Sequence, residues 1–167
     1  MFRRFALALA LLLVVGAPAA TRPYPKVFEG TVVRVKDGDS LMVERLDVRR
    51  TSEVRLAGID APELGQPWGI QSRSALRRMV LGDRVRVEVS DRDSYGRLVA
   101  KVWEGRILVN AEMTQAGHAW AFSRYMRDRS IHAGHEAARR AGRGLWGLPE
   151  RDRVPPATWR DRNPRQD

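Results

Sequence analysis

Five short segments between residues 27 and 103 have the character of β-strands, because apolar and polar residues alternate in them or β-branched residues dominate. The clearest is Arg-Val-Arg-Val-Glu-Val at residues 84–89, which predicts a strand with one buried face. An Asp-Gly pair, a strong signal for a hairpin, separates the first two segments. The predicted strands are residues 27–36, 40–48, 53–59, 84–89 and 97–103.

Helical periodicity follows the third strand and returns near the end of the chain. Apolar residues recur at helical spacing within residues 70–81, and shorter patterns of the same kind lie at residues 109–116 and 128–141. This order predicts an α+β fold that is mainly β, a five-stranded OB-fold Greek-key barrel with three helices. Barrels of this type often bind single-stranded nucleic acid, but a fold alone does not determine function.

The two ends of the chain differ from this central pattern. Residues 1–19 have a basic start, an apolar run of eleven residues (5–15) and the small-residue sequence Ala17-Pro18-Ala19. A bilayer-spanning helix needs about 20 apolar residues, so we expect a secretory signal peptide cleaved after Ala19, with an uncleaved membrane anchor as the alternative. Residues 20–148 are expected to form one domain. Residues 149–167 contain four prolines and alternating charges, which predicts a disordered tail.

Composition narrows the classes of partner and metal. The formal net charge is +10, which favours binding to polyanions, nucleic acid above all. This signal is modest, because all but three of the 30 basic residues are arginine and such a bias can also reflect the base composition of a genome. The chain has no cysteine, which excludes disulfides, thiolate metal sites and attachment through a lipidated cysteine.

Candidate chemistry centres on Asp60-Ala61-Pro62-Glu63, where a proline ends the third predicted strand in a turn. The turn brings two carboxylates close to the backbone carbonyl of Ala61, and oxygen ligands of this kind suit a hard cation such as Ca²⁺. Short turns of this composition also occur without any metal. Asp37-Gly38-Asp39, on the first hairpin, supplies two more carboxylates.

Several short motifs in one order resemble the staphylococcal nuclease-like (thermonuclease) family. The resemblance covers residues 27–146. The matching motifs are Asp37-Gly38-Asp39-Ser40, Val54-Arg55-Leu56-Ala57-Gly58-Ile59-Asp60-Ala61-Pro62-Glu63, Tyr95-Gly96-Arg97, Leu108-Val109-Asn110 with Gly117, and Gly144-Leu145-Trp146.

The resemblance implies a Ca²⁺-dependent nuclease that hydrolyses phosphodiesters in DNA and RNA. By position, Asp39 and Asp60 would ligate Ca²⁺ through their carboxylates, and Ala61 through its carbonyl. Family members often have threonine at the position of Ala61, but a carbonyl ligand does not need the hydroxyl. Asp37 would act through water. Glu63 would be the general base or orient the attacking water, and Arg55 and Arg97 would bind the phosphate.

Two positions depart from the family pattern. A lysine often precedes the Tyr-Gly-Arg motif, and a tyrosine often lies near position 123, but this chain has Ser94 and Ser123 there. We expect Tyr95 and Tyr125 to bind substrate instead, by stacking or by a phosphate hydrogen bond. The departures leave the preference for chain ends open.

Two further classes of function remain as alternatives. The first is a non-catalytic nucleic-acid-binding or protein-interaction module, although such domains tend to lose the carboxylates and arginines kept here. The second is a domain that binds an envelope polyanion.

His132 and His135 suggest a rival metal site, but no third ligand is evident nearby, which favours a structural role. We expect an exported monomer, periplasmic or secreted, without stable membrane insertion after the signal is removed.

Overall fold

The computed structural model describes residues 26–122 and 128–164. The signal segment and Tyr125 therefore lie outside the described residues. In chain order the elements are β1 (Val27–Val35), β2 (Ser40–Arg45), β3 (Thr51–Leu56), β4 (Ile59–Asp60), α1 (Gly69–Val80), β5 (Arg84–Arg92), β6 (Leu98–Glu104), β7 (Ile107–Leu108), α2 (Val109–Gln115), β8 (Trp120–Ala121), α3 (Arg129–Arg140) and α4 (Pro156–Arg162), with 3-10 turns at Gly144–Gly147 and Glu150–Asp152.

The five long strands form a closed barrel, as the sequence predicted. They are hydrogen-bonded in the order β3-β2-β1-β5-β6, and β3 then pairs with β6 to close the circle. The closing pair is parallel, with Arg55 opposite Val99, whereas the other long strands pair antiparallel. Closure leaves no unpaired edge among these five strands, which removes a common route to aggregation.

The alternating patterns place one side of each strand in the barrel core. Val54 and Leu56 of β3 are fully buried, as are Val85 and Val87 of β5. Helix α1 covers one opening with the apolar face that the periodicity predicted, which includes Leu76. Burial of these side chains from water is the main favourable term for the fold.

The third predicted strand, residues 53–59, is interrupted. Gly58 has φ +76°, a left-handed conformation that glycine adopts without strain, and it turns the chain after β3. Ile59 and Asp60 then pair with Ala121 and Trp120 of β8 in a separate two-stranded sheet. The break matters for the site because it sets Asp60 on a different sheet from Arg55.

The prediction of a disordered tail is wrong for residues 149–164. These residues form a 3-10 turn and α4, whose proline at the first position suits a helix start. The error has a physical cause. Pro156 is buried, and Arg160 of α4 forms ion pairs with Asp60 of β4 and with Glu63 in the loop that follows, and composition does not reveal such tertiary contacts. Helix α4 also makes four α-helices among the described residues, where three were predicted. None of the described helices is long and apolar enough to cross a bilayer.

Candidate active site

One guanidinium joins the two carboxylates that the sequence singled out. Arg55 donates from Nη1 to Oδ1 of Asp39 and from Nη2 to Oδ1 of Asp60, each at 3.0 Å. Asp39 and Asp60 are only 4% and 3% exposed. Burial alone would lower the pKa of Arg55, but the two carboxylates outweigh it and the pKa is raised, so the guanidinium is held in its charged form.

Strand register explains why these three residues meet. In the β2–β3 pair Ser40 lies opposite Arg55, so Asp39 stands one residue from the arginine's partner position. Asp60 arrives from the other direction, through the turn at Gly58 and the pairing with Trp120. The site therefore lies where the β1–β2 hairpin and the end of β3 converge.

The atoms that could ligate a metal at this point are all oxygens, which suits a hard cation. The backbone N–H of the buried Ala61 donates to Oδ2 of Asp39 at 3.0 Å, so the carbonyl-bearing turn lies directly against that carboxylate. Within the described ranges, no three His, Cys, Asp or Glu side chains group as a metal site. A cation here would therefore rely on two carboxylates and a backbone carbonyl, with water or substrate completing its coordination.

Asp37 shows that negative charge is crowded on this hairpin. Burial and then the nearby charge of Asp39 raise the pKa of Asp37 to about 6. Its Oδ1 accepts a hydrogen bond from the backbone N–H of Asp39 at 3.0 Å, which braces the turn. Such a contact agrees with a positioning role for Asp37.

Arg97 reaches the same site from the β5–β6 hairpin. Its Nη1 donates to Oγ of Ser40 at 3.3 Å, and that hydroxyl donates to Asp39 at 2.9 Å. Asp93 holds the arginine in place, accepting from Nε at 2.7 Å and from the backbone N–H at 3.0 Å. Tyr95 lies beside it, with the guanidinium carbon 5.4 Å from the ring centroid, and is 83% exposed. The ring is therefore accessible for stacking.

Glu63 bonds to a third arginine, which comes from near the end of the chain. Arg160 of α4 donates from Nη1 to Oε1 of Glu63 at 2.9 Å. The same guanidinium binds both oxygens of Asp60, at 3.2 Å and 3.1 Å. Hydrogen bonds to Asp60 and Glu63 raise the pKa of Arg160 despite the opposing effect of burial.

The model of the family described as staphylococcal nuclease homologue matches residues 53–147. The chain belongs to the staphylococcal nuclease family. The match includes Arg55, Asp60, Glu63 and Arg97 but ends before Arg160.

Full-length relatives support the family assignment. An uncharacterized endonuclease of Escherichia coli is 40% identical over 134 residues, which cover 80% of this chain and 85% of that protein. A micrococcal nuclease of Shigella flexneri is 37% identical over 166 residues, covering 93% and 90%. An uncharacterized endonuclease of Haemophilus influenzae is 35% identical over 129 residues, covering 77% and 71%.

The sequence analysis missed three residues of this staphylococcal nuclease-like site. Asp93 lies four residues before Arg97, a spacing that carries no special meaning in a hairpin. Gln66 is buried in the loop after Glu63 and accepts from the Glu63 backbone N–H at 3.2 Å. Arg160 lies in a segment that composition marked as disordered, so no sequence signal pointed to it.

Two histidines, His118 and His135, make hydrogen bonds within the folded structure. His135 accepts at Nδ1 from the backbone N–H of Ala121 at 2.9 Å and packs edge-on against Trp146. His118 accepts at Nδ1 from Trp68 at 3.0 Å. Burial lowers the pKa of both histidines, which favours the neutral forms that accept these bonds.

Proposed function

We propose that this protein is an exported, Ca²⁺-dependent nuclease that hydrolyses phosphodiester bonds in DNA and RNA. Membership in the staphylococcal nuclease family supports nuclease activity. The main structural support for the proposal is that Asp39 and Asp60 both form ion pairs with Arg55. In a binding-only domain, two buried carboxylates around one guanidinium would serve the structure alone.

Ca²⁺ would be held by the carboxylates of Asp39 and Asp60 and the carbonyl of Ala61, where it would act as a Lewis acid towards the phosphate. The protein's own residues then have separate tasks. Glu63 accepts a proton from the attacking water at its carboxylate, and the water oxygen bonds to phosphorus. The bond to the leaving sugar oxygen breaks, and that oxygen keeps the electron pair and takes up a proton from solvent to become a hydroxyl.

The two arginines from the β-hairpins stabilise the charge that builds on the phosphate. A guanidinium presents paired N–H donors that match phosphate oxygens, which a lysine cannot reproduce. Arg55 lies in β3 and Arg97 in the connection between β5 and β6, so they would contact different oxygens of one phosphate. Tyr95, exposed beside Arg97, offers a face for a nucleobase, and Tyr125 is proposed for the same purpose.

The test uses residues 20–167 with single-stranded DNA, duplex DNA and RNA, each in Ca²⁺, in Mg²⁺ and in chelator. We expect Ca²⁺-dependent cleavage that falls by about 10²-fold or more in Glu63→Gln, because a positioned base typically contributes that much. Glu53→Gln is the matched control, since its side chain has the same 27% exposure and lies in a surface ion pair with Lys36.

Two results would count against the proposal. Tight, salt-sensitive binding of nucleic acid without cleavage would indicate the binding module, with its carboxylates kept for structure. Cleavage that survives in Glu63→Gln at the level of Glu53→Gln would retain the reaction but remove Glu63 as its base.

A further inference from the structure

Arg160 occupies the acceptor atoms that the proposed reaction needs. Both oxygens of Asp60 accept N–H bonds from it, and Oε1 of Glu63 accepts a third. Asp60 is the proposed cation ligand and Glu63 the proposed base. In this arrangement the carboxylate of Asp60 is shared between two guanidinium groups, those of Arg55 and Arg160.

The segment that carries Arg160 is docked on the loop that carries Glu63. Nε2 of Gln66 donates to the carbonyl oxygen of Val154, and Oε1 of the same side chain accepts from the backbone N–H of Glu63. Pro156, at the start of α4, is buried. Nε of Arg153 donates to the carbonyl of Leu148 at 2.6 Å, which secures the start of the segment. Residues 153–163 are called here the C-terminal latch. The side chain of Gln66 thus holds both the latch and the backbone of Glu63.

A guanidinium and a divalent cation cannot both have full use of the same carboxylate. Asp60 is almost completely buried, so it requires a positive partner at all times. Arg160 is 42% exposed and arrives on a short surface helix, so its bonds are replaceable at modest cost. Arg55, at 20% exposure, is the more permanent partner.

We propose that Arg160 is a built-in counter-cation for Asp60 and Glu63 that competes with the divalent cation, so that the C-terminal latch closes the site until metal is bound. The inference rests on the proposed cation site. Metal binding would remove Arg160 from Asp60 and, in the same step, break its hydrogen bond to Oε1 of Glu63, the proposed base. Metal loading and activation of the base are therefore linked.

The direct test is calorimetric titration of Ca²⁺ into metal-free residues 20–167, comparing wild type with Arg160→Gln. Removal of a competitor should tighten Ca²⁺ binding by about five- to tenfold, the range expected for a partly exposed bidentate ion pair. Arg162→Gln is the matched control: it removes the same charge from the same helix, from an exposed position near its end. It should leave the affinity within about twofold of wild type.

Thermal unfolding provides a second readout that does not depend on activity. In chelator, Arg160→Gln should melt several degrees below Arg162→Gln, because its carboxylates lose a positive partner. At saturating Ca²⁺ the gap should close, since the metal replaces the missing charge and ligand binding stabilises the folded state. Arg160→Lys keeps the charge but loses the planar guanidinium, so in chelator its melting temperature should lie between those of Arg160→Gln and Arg162→Gln.

The outcomes separate the latch from the proposed function. Equal or weaker Ca²⁺ binding in Arg160→Gln, with wild type binding normally, would overturn the latch, and a weaker value would make Arg160 a positioning residue. A difference in melting temperature between Arg160→Gln and Arg162→Gln that persists at saturating Ca²⁺ would also overturn the latch. Ca²⁺ binding by neither protein would remove the calcium site itself, and the latch with it. Binding by Arg160→Gln alone would support the latch strongly.

Discussion

At the scale of single residues, Arg55 determines how the proposed site is built. Its two terminal nitrogens reach carboxylates that come from different turns, at equal distances of 3.0 Å. A planar fork can bridge two acceptors in this way, whereas an ammonium group is a single point charge. The residue therefore holds Asp39 and Asp60 together, and we propose that it also binds the phosphate.

We expect Arg55→Lys to lower the rate of cleavage by about 10²-fold, the usual cost of removing one preorganised donor from such a site. Loss of one of the two carboxylate contacts should also destabilise the fold, because a buried charge is left with a poorer partner. Steady-state kinetics and urea unfolding measure the two effects. Arg84→Lys, in an exposed ion pair with Glu29, is the control and should change neither.

Retention of wild-type turnover in Arg55→Lys would show that the fork is not needed for the reaction. Loss of stability with unchanged turnover would give Arg55 a purely structural role. Either result would also weaken the case that Asp39 and Asp60 are held as a pair for catalysis.

At the scale of secondary-structure elements, the site depends on how closely the β1–β2 hairpin approaches α1. Gly38, in the turn of that hairpin, has no room for a side chain. A Cβ atom there would lie 1.9 Å from Oγ of Ser72 and 2.7 Å from Cβ of Ala61. Ser72 is itself fixed, because its Oγ donates to the carbonyl of His118 at 2.8 Å. Glycine at this position therefore sets the distance between Asp39 and the turn at Ala61.

Gly38→Ala should push the hairpin away from α1. We expect a loss of stability of about 1–3 kcal/mol, typical of overpacking, and at least a tenfold loss of activity as Asp39 moves from Ala61. Chemical denaturation and kinetics check these values. Gly65→Ala is the control, because a Cβ at Gly65 meets no atom within 4 Å, and it should leave both unchanged. A fully active Gly38→Ala would show that the site tolerates this displacement.

The predicted elements themselves came close to the observed ones where the local pattern was strong. The periodicity predicted a helix at residues 70–81, and α1 spans Gly69–Val80. The two clearest errors have a common origin. The break at Gly58 and the order of the tail both depend on partners far along the chain, β8 in one case and the barrel surface in the other.

At the scale of the whole molecule, charge and the amino-terminal segment bear on where the protein acts. A net charge of +10 draws polyanions by a field that salt weakens, which suits a substrate that is itself a polyanion. The absence of cysteine means that an exported form would need no disulfide chemistry to fold. Export would also place a nuclease away from the cell's own nucleic acid.

We expect the full-length chain, expressed in a bacterial host, to be recovered from the periplasm or medium with Ala20 as its first residue. The physical reason is that the apolar run is too short to remain as a spanning helix and is followed by a small-residue cleavage site. Intact mass of the recovered protein measures this directly. A membrane-bound product that retains residues 1–19 would support the uncleaved anchor.

The sequence by itself determined the barrel, its strands, the family and the candidate residues, because alternation, helical periodicity and short motifs are local properties of the chain. Only the tertiary structure decided which charges meet. Asp39 and Asp60 share Arg55 through strand register and a turn, and Arg160 reaches Asp60 across 100 positions of sequence. Charges that far apart leave no local pattern, because their proximity depends on the path of the folded chain between them.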